Sequence, residues 1–297
     1  MEKQALMIYN PYSGRKKNNH KTVELLLKKL SEIGYHITIH SLDELKHNEN
    51  LIQIACERKW EAIFIAGGDG TINHTLQHLA VQEHRPKIGI FPLGTSNEFA
   101  KFIGLPCNTL KALSVIERGG TKKVDIGQFG GRYFANIAAA GWLTDITYKT
   151  SPLLKSYIGE FAYSLAFIKA LFMAKQPNDI SVIVSPEKEL RDLSIFLIMN
   201  GNSVGPLERL ITNADGPDYG YFHLLTCKKT NRIQLFIALL AKMLHLTETI
   251  ASIEYLQIDS GSFIVPESLY INLDGEQVEV TSTEFKVLPH HLAVFAP

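Results

Sequence analysis

Hydrophobic positions in roughly the first 120 residues follow two alternating rhythms. Short apolar runs at 5–9, 35–39, 62–66 and 87–91 read as strands. Between them apolar residues recur at helical spacing. Val23, Leu26, Leu27, Leu30 and Ile33 mark a helix over 22–33 that stops at Gly34. Further helices are predicted over 43–58, 71–81, 98–103 and 109–118. Strand and helix in strict alternation predict a parallel α/β sheet. In such sheets ligands bind beyond the carboxyl ends of the strands. Three glycine-containing polar loops fall there, at 10–14, 67–71 and 94–97.

From about residue 122 the rhythm changes. Runs at 124–129, 132–139, 180–185, 193–199, 221–227, 253–258, 262–265, 269–273, 277–281 and 285–288 read as short strands. Many follow one another directly, which predicts antiparallel pairing in a sandwich or barrel. Apolar helices over 157–174 and 233–246 interrupt them. Lys169 and Lys242 break those helices, and both are short for a membrane span of about 20 residues. The expected architecture is an α/β domain with a parallel sheet over 1–122 and a β-rich, sandwich-like domain over 123–288. The tail 291–297 is apolar and is expected to pack against something.

Composition adds bounds rather than detail. A chain of 297 residues suits two domains at roughly 150 residues each. Lys plus Arg and Asp plus Glu are both 30, so bulk charge does not hold this chain on nucleic acid. Cys56, Cys107 and Cys227 are scattered, with neither a disulfide framework nor a zinc spacing. A reducing, cytoplasmic setting is expected. The N-terminal MEKQALMIYNP lacks the apolar run of a signal peptide. A protein without an anchor that can touch the inner face of a membrane fits this composition.

The chemistry gathers in the three loops. Gly67, Gly68 and Gly70 permit positive φ and let a phosphate approach the backbone. Thr71 opens a helix whose first N–H groups favour an anion. Asp69 among them suits a magnesium ion or its water shell. The loop is not a Walker A, since G-x-x-x-x-G-K-[ST] does not occur in the chain. A glycine-rich turn with Asp69 as a helix cap answers the same residues. The other loops, Asn10-Pro11-Tyr12-Ser13-Gly14 and Gly94-Thr95-Ser96-Asn97, weigh toward phosphate binding because all three lie at one sheet edge.

N-P-x-S-G, then G-G-D-G-T, then G-T-x-N-[DE]-F-A resembles the diacylglycerol kinase catalytic-domain family, above all its bacterial single-chain members. The resemblance runs to the C-terminus. It implies that Asn10, Pro11, Ser13 and Gly14 meet nucleotide phosphate, and that Gly67, Gly68, Asp69, Gly70, Thr71 and Asn73 form the main ATP loop. Asp69 would lie near Mg2+, and Gly94, Thr95 and Asn97 would complete the nucleotide site. Ser41 stands where the family often has a nucleotide-contacting threonine. The family segment that returns to the first domain resembles the tail, so 289–297 is expected to pack there. G-G-D-G-T alone also suits NAD kinases, but their T-P-x-G-S-x-A-Y segment does not occur here.

The second domain carries Leu273-Asp274-Gly275-Glu276 between two alternating runs. Asp-Gly between strands is a preferred hairpin turn, and Glu276 can be a surface residue beside it. The family has D-G-E near its end, and the resemblance implies that Glu276 is the general base taking the acceptor's proton. Two departures stand out. The family's Asp after the third-motif Asn is Glu98 here. Its P-x-A-x-x-D-D-G segment, which binds magnesium in some members, reads TNADGPDYGYF. Tyr219 replaces the second Asp, which leaves Asp218 or Asp215 as metal ligand, or a turn without metal. His74 and His78 lie at i, i+4 without the glutamate of H-E-x-x-H and read as a helix face. Ile158, Phe161, Leu165, Ile168 and Phe172 read as core, or as a wall of a lipid pocket.

The sequence is therefore read as an ATP- and magnesium-dependent kinase of a lipid alcohol, working in the cleft between the domains. The acceptor is diacylglycerol, a sphingoid base, phosphatidylglycerol or a non-lipid alcohol. A NAD kinase and a catalytically silent nucleotide- or lipid-binding regulator are the alternatives.

Overall fold

A computed structural model describes residues 3–14, 19–42, 48–141, 180–185, 188–201, 219–229, 252–265 and 268–297. The helices expected at 157–174 and 233–246, and Asp215 and Asp218, lie outside these residues. The chain divides into two compact units. One is Met1–Ile126 with His290–Pro297, the other Gly127–Pro289.

The first unit alternates as its hydrophobic rhythm predicts. Its elements are β1 (Lys3–Tyr9), α1 (Asn19–Glu32), β2 (Tyr35–Ser41), α2 (Asn48–Glu57), β3 (Ala62–Gly67), α3 (Asp69–Leu79), β4 (Lys87–Pro92), α4 (Glu98–Phe102), α5 (Thr109–Arg118) and the start of β5 (Thr121–Phe129). β4, β3, β1 and β2 pair in that order, all parallel. β1 and β3 are buried almost throughout, which is why they read as continuous apolar runs and not as alternating ones. α1 buries Val23, Leu26 and Leu30 in one core with Met7, Phe64 and Phe91. α5 is capped by Asn108, whose side chain accepts the N–H groups of Leu110 and Lys111 at 3.1 Å each.

Register decides where the loops fall. Tyr9 lies opposite Ser41 on one side and Ala66 on the other, and Gly67 lies opposite Pro92. The carboxyl ends of four parallel strands therefore finish in one row. The loops after β1, β3 and β4, and Ser41, share that edge.

The second unit is antiparallel, as the close succession of short runs predicts. It holds β6 (Arg132–Phe134), β7 (Ile137–Gly141), β8 (Ile180–Ser185), β9 (Lys188–Met199), β10 (Phe222–Lys228), β11 (Ile253–Ile258), β12 (Ser260–Ile264), β13 (Leu269–Leu273), β14 (Glu276–Val280) and the first part of β15 (Thr283–Phe295). Phe129, Phe196 and Phe263 form the middle of its core, with ring centroids 4.6–5.8 Å apart.

Two expectations about elements change. The single run predicted at 132–139 is two strands, broken at Ala135 and Asn136. The N–H groups there bond a side chain from another hairpin instead of a neighbouring strand. The run predicted at 285–288 is the start of a much longer strand. Pro289 and His290, at φ 50, read as a stop, yet β15 continues to Phe295. The buried carboxylate of Asp125 accepts the His290 N–H at 2.6 Å and carries the chain across that kink. Within the first unit, Val294 then pairs with Ile88 of β4, and Phe295 lies over Phe64 at 6.3 Å. His291 bonds the Ala80 carbonyl through Nε2 at 2.8 Å, and its own carbonyl accepts Arg85 Nε at 2.8 Å.

Candidate active site

The three loops of the first unit are knitted together before any ligand is considered. After β1, the Asn10 N–H donates to the Ala66 carbonyl at 3.0 Å. Asn10 Nδ2 donates to Thr71 Oγ1 at 3.2 Å, and Asn10 Oδ1 accepts the Tyr12 N–H at 2.9 Å. One side chain thus ties loop one to loop two and folds its own turn. Ser13 is held through its carbonyl, which accepts Asn19 Nδ2 at 2.7 Å. Gly14 has φ +74, and a Cβ there would lie 2.2 Å from the Leu93 carbonyl oxygen. Only glycine fits that approach to loop three.

Loop two corrects one expectation. Gly67, Gly68 and Gly70 do not sit at positive φ. Two of them serve close packing instead. A Cβ on Gly67 would meet the Thr71 side chain at 2.4 Å, and one on Gly68 would lie 3.0 Å from Gly94 Cα. Gly70 faces open space. The helix also opens earlier than expected. α3 begins at Asp69, with Gly68 as an N-cap that supplies no side-chain bond. The Thr71 and Ile72 N–H groups turn back to the Gly68 carbonyl at 3.0 and 3.1 Å, while those of Asp69 and Gly70, ahead of them and with no N-cap side chain to accept them, point to where an anion can sit. Thr71 and Asn73 are buried in this helix, and Asn73 Oδ1 accepts Gln77 Nε2 at 2.7 Å.

Asp69 does not cap its own helix. Its Oδ1 accepts the N–H of Phe99 at 3.2 Å, in the first turn of α4. Burial pushes this carboxyl above its ordinary range. The backbone N–H groups of Phe99, Glu98 and Asn97 pull it the other way, and the Glu98 charge adds to the rise. The result is a carboxylate oriented by backbone and short of water.

Loop three is stiffened from within. Asn97 takes the left-handed region at φ 50, and its side chain bonds Gly94 twice, accepting its N–H at 3.0 Å and donating to its carbonyl at 2.9 Å. That amide is a staple for the loop. Leu93 N–H reaches the Gly67 carbonyl at 2.9 Å. Thr95 stands exposed in the middle of the loop. Glu98 turns to Lys101, 3.2 Å away. The structure thus brings Asn10, Pro11, Ser13, Gly14, Ser41, Gly67, Gly68, Asp69, Gly70, Thr71, Gly94, Thr95 and Asn97 to one edge. His74 and His78 lie farther along α3, half-buried and edge to face at 5.0 Å.

Among the described residues no group of three or more His, Cys, Asp or Glu could hold a metal ion by itself. Magnesium does not ask for one. It commonly binds through one or two carboxylates and the phosphates of a nucleotide. A desolvated, backbone-oriented Asp69 beside uncapped N–H groups fits that mode.

In the second unit Asp274 and Gly275 form the two-residue turn that the sequence predicts. Their φ values are 49 and 95, as a type I′ hairpin requires. Asn272, buried, accepts the Gly275 N–H at 2.8 Å. Sequence reasoning missed what Asp274 does. Its carboxylate accepts the N–H groups of Ala135 at 2.5 Å, Asn136 at 2.9 Å and Ile137 at 2.8 Å. Asn200 completes the knot by donating Nδ2 to the Ala135 carbonyl at 2.8 Å. No local signal marks these bonds, because the partners are more than 130 residues apart. Glu276 begins β14 opposite Leu273, half-buried, on a turn fixed by Asp274.

The sequence profile described as Diacylglycerol kinase catalytic domain matches residues 4–129, which include all three loops. A diacylglycerol kinase of Staphylococcus carnosus is 33% identical over 301 residues, covering 100% of this chain and 96% of the relative. A diacylglycerol kinase of Bacillus subtilis is 33% identical over 299 residues, covering 99% and 97%. In fold, the chain is similar to a diacylglycerol kinase of Bacillus anthracis, with a TM-score of 0.71 at 20% identity over 99% of this chain and 97% of that one. The motifs lie in order, the strands bring them to one edge, and the likeness to the curated relatives spans the whole length: this chain belongs to the diacylglycerol kinase family, a family of lipid kinases that move phosphate to an alcohol group.

Proposed function

We propose that this protein transfers the γ-phosphate of ATP, with Mg2+, to the hydroxyl of a lipid such as diacylglycerol. One observation carries the reading: three loops from three parallel strand ends are cross-bonded into one rigid edge around an uncapped helix N-terminus and a desolvated carboxylate. A turn needs no such convergence. The N–H groups at the start of α3 hold the phosphates, with Asn10, Ser13, Thr95 and Ser41 bonding along the nucleotide. Gly14, Gly68 and Gly94 keep the edge flat enough for close approach. Asn97 and Asn73 hold the loops in shape. Asp69 would hold magnesium, which when bound neutralises phosphate charge. Asp218 would hold a second, structural ion.

Glu276 is the base of this scheme. Asp274 cannot easily share the role while its oxygens take three N–H bonds, since bonds to the charged form make a carboxylate a poor proton acceptor. Glu276 leads β14 from a fixed turn and carries no such set of backbone donors. It accepts the acceptor's hydroxyl proton as the phosphoryl group moves. The acceptor lies on the second unit and is met at a membrane surface.

The test is transfer of radiolabelled γ-phosphate from ATP to diacylglycerol, sphingosine and phosphatidylglycerol in mixed micelles, with NAD in parallel. Label on diacylglycerol that needs Mg2+ is the expected outcome. Label on NAD alone makes the chain a NAD kinase. ATP binding without label on any acceptor makes it a silent binder. Equal transfer to a water-soluble short-chain acceptor, with no gain from a surface, removes the membrane step.

A further inference from the structure

The edge formed by the three loops is built from glycine, small polar side chains and one carboxylate. Tyr12 does not belong to that set. It is 80% exposed, and no other large hydrophobic side chain among the described residues exceeds 60%. A single exposed tyrosine is ordinary on a protein surface. Its place and its rigidity separate this one from the ordinary case. The Tyr12 N–H is bound by Asn10 Oδ1 at 2.9 Å, and Asn10 in turn bonds Thr71 of loop two at 3.2 Å. Two residues on, Gly14 packs on the Leu93 carbonyl at the start of loop three. Tyr12 is therefore pinned from both sides, with each neighbouring loop about two residues away along the chain. The backbone beneath the ring is set before a ligand arrives. A tyrosine has few rotatable bonds, so covering its ring costs little conformational entropy.

We propose that Tyr12 is the platform on which the nucleotide's base stacks, and that it gives the site its preference for a purine nucleotide over a bare phosphate chain. The proposal rests on the nucleotide reading of the three loops. With the phosphates on the first N–H groups of α3, the nucleoside must extend along the same edge. Asn10, Ser13, Ser41 and Thr95 on that edge are small and polar, and they bond sugars and phosphates rather than cover a ring face. A purine offers two apolar faces, and among the described residues of this edge Tyr12 is the exposed aromatic that can cover one. Stacking of a base on an aromatic side chain is worth about ten-fold or more in affinity, and it depends on the ring and not on the hydroxyl.

Calorimetry on the full chain separates this role from the others. The ligands are ATP, CTP and inorganic tripolyphosphate, and the proteins are wild type, Tyr12→Ala and Tyr12→Phe. Tyr12→Ala is expected to weaken ATP by about ten-fold or more, CTP by less, and tripolyphosphate by under about two-fold, while Tyr12→Phe stays near wild type with every ligand. Unchanged ATP affinity in Tyr12→Ala overturns the proposal. Equal loss with ATP and tripolyphosphate also overturns it, because the residue would then only shape the loop. Lost turnover on lipid vesicles with intact ATP affinity overturns it in favour of a membrane contact. If wild type binds neither ATP nor tripolyphosphate, the phosphate edge itself is wrong and the platform falls with it.

Discussion

Asp69 in the first unit and Asp274 in the second are both aspartates beside glycine in a tight chain reversal, and both accept backbone N–H groups from a distant segment. They differ in how much of the carboxylate is left over. Asp274 gives both oxygens to three N–H groups and ties β13 to the chain before β7. Asp69 is held mainly by the Phe99 N–H at 3.2 Å on Oδ1, with the Glu98 and Asn97 N–H groups pulling more weakly, and burial still raises its pKa. A fully bonded carboxylate is a strut. A half-buried one with weaker bonds is a charge that a bound cation would steady. The difference also explains the neighbours. The strut at Asp274 presents Glu276, and Asp69 is the first residue of α3.

The comparison breaks most visibly at Asp69. Asp69→Asn keeps an oxygen for the Phe99 N–H and removes the charge. Phosphoryl transfer is expected to fall to background at saturating ATP and Mg2+, with circular dichroism and melting near neutral pH showing a folded protein. Activity within a few-fold of wild type would mean that Asp69 is only a tether between loop two and α4. Chelation with EDTA should give the same loss in wild type, and added Mg2+ should reverse it.

Glu276→Gln comes next. Glutamine keeps the reach and loses the proton site, so turnover should fall by about 10²–10⁴-fold. ATP affinity should stay near wild type. Equal turnover would return Glu276 to a surface residue after a hairpin. Lost ATP binding would move it into the nucleotide site.

Asp274→Ala tests the strut. It strands the N–H groups of Ala135, Asn136 and Ile137, and unsatisfied buried donors cost about 1–3 kcal/mol each, less where water can enter. A loss of about 3 kcal/mol in urea unfolding is expected, before any effect on chemistry. Full stability with lost turnover would instead make Asp274 the base and demote Glu276. Gly68→Val is smaller again. Its Cβ would press on Gly94 Cα at 3.0 Å and push loop three from loop two, at a cost of about 1–3 kcal/mol. ATP affinity should drop with it. Unchanged affinity would show that the two loops need not touch.

Some of this is written in the sequence and some is not. The parallel sheet is legible because buried strands give unbroken apolar runs and α1 gives Val23, Leu26 and Leu30 on one face. The Asp274-Gly275 turn is legible because type I′ geometry selects those residues. Positive φ is expected at Gly67, Gly68 and Gly70 and occurs instead at Gly14 and Asn97, since glycine signals either freedom or closeness and composition does not say which. The bonds from Phe99 to Asp69 and from Ala135 to Asp274 exist only once strands have found their register. So does the continuation of β15 past Pro289, which depends on Asp125 holding the His290 N–H. The tie between Asn10 and Thr71 is of the same kind, 61 residues apart.

The smallest expected effect is in the pH dependence of stability, and it follows from the sign of the Asp69 shift. Burial raises the folded pKa above the ordinary 3.8, so the folded chain holds this proton more tightly than the unfolded one. Below 3.8 both states are protonated and Asp69 is neutral to stability. As pH climbs past that value the unfolded chain ionises first, and wild-type stability falls until the pH has passed the raised folded value. Above it the penalty is constant. The carboxamide that Asp69→Asn introduces does not titrate and keeps the Phe99 bond. Unfolding midpoints in urea should therefore diverge across that window, with Asp69→Asn gaining relative to wild type as pH rises and the gap then holding flat to neutrality. The same titration of Asp274→Asn should not show a gain, because three donors already satisfy that carboxylate. Parallel curves for wild type and Asp69→Asn would mean that Asp69 is solvated after all. A gap that instead widens in favour of wild type as pH rises would make it a second strut, and the contrast between the two aspartates would be lost.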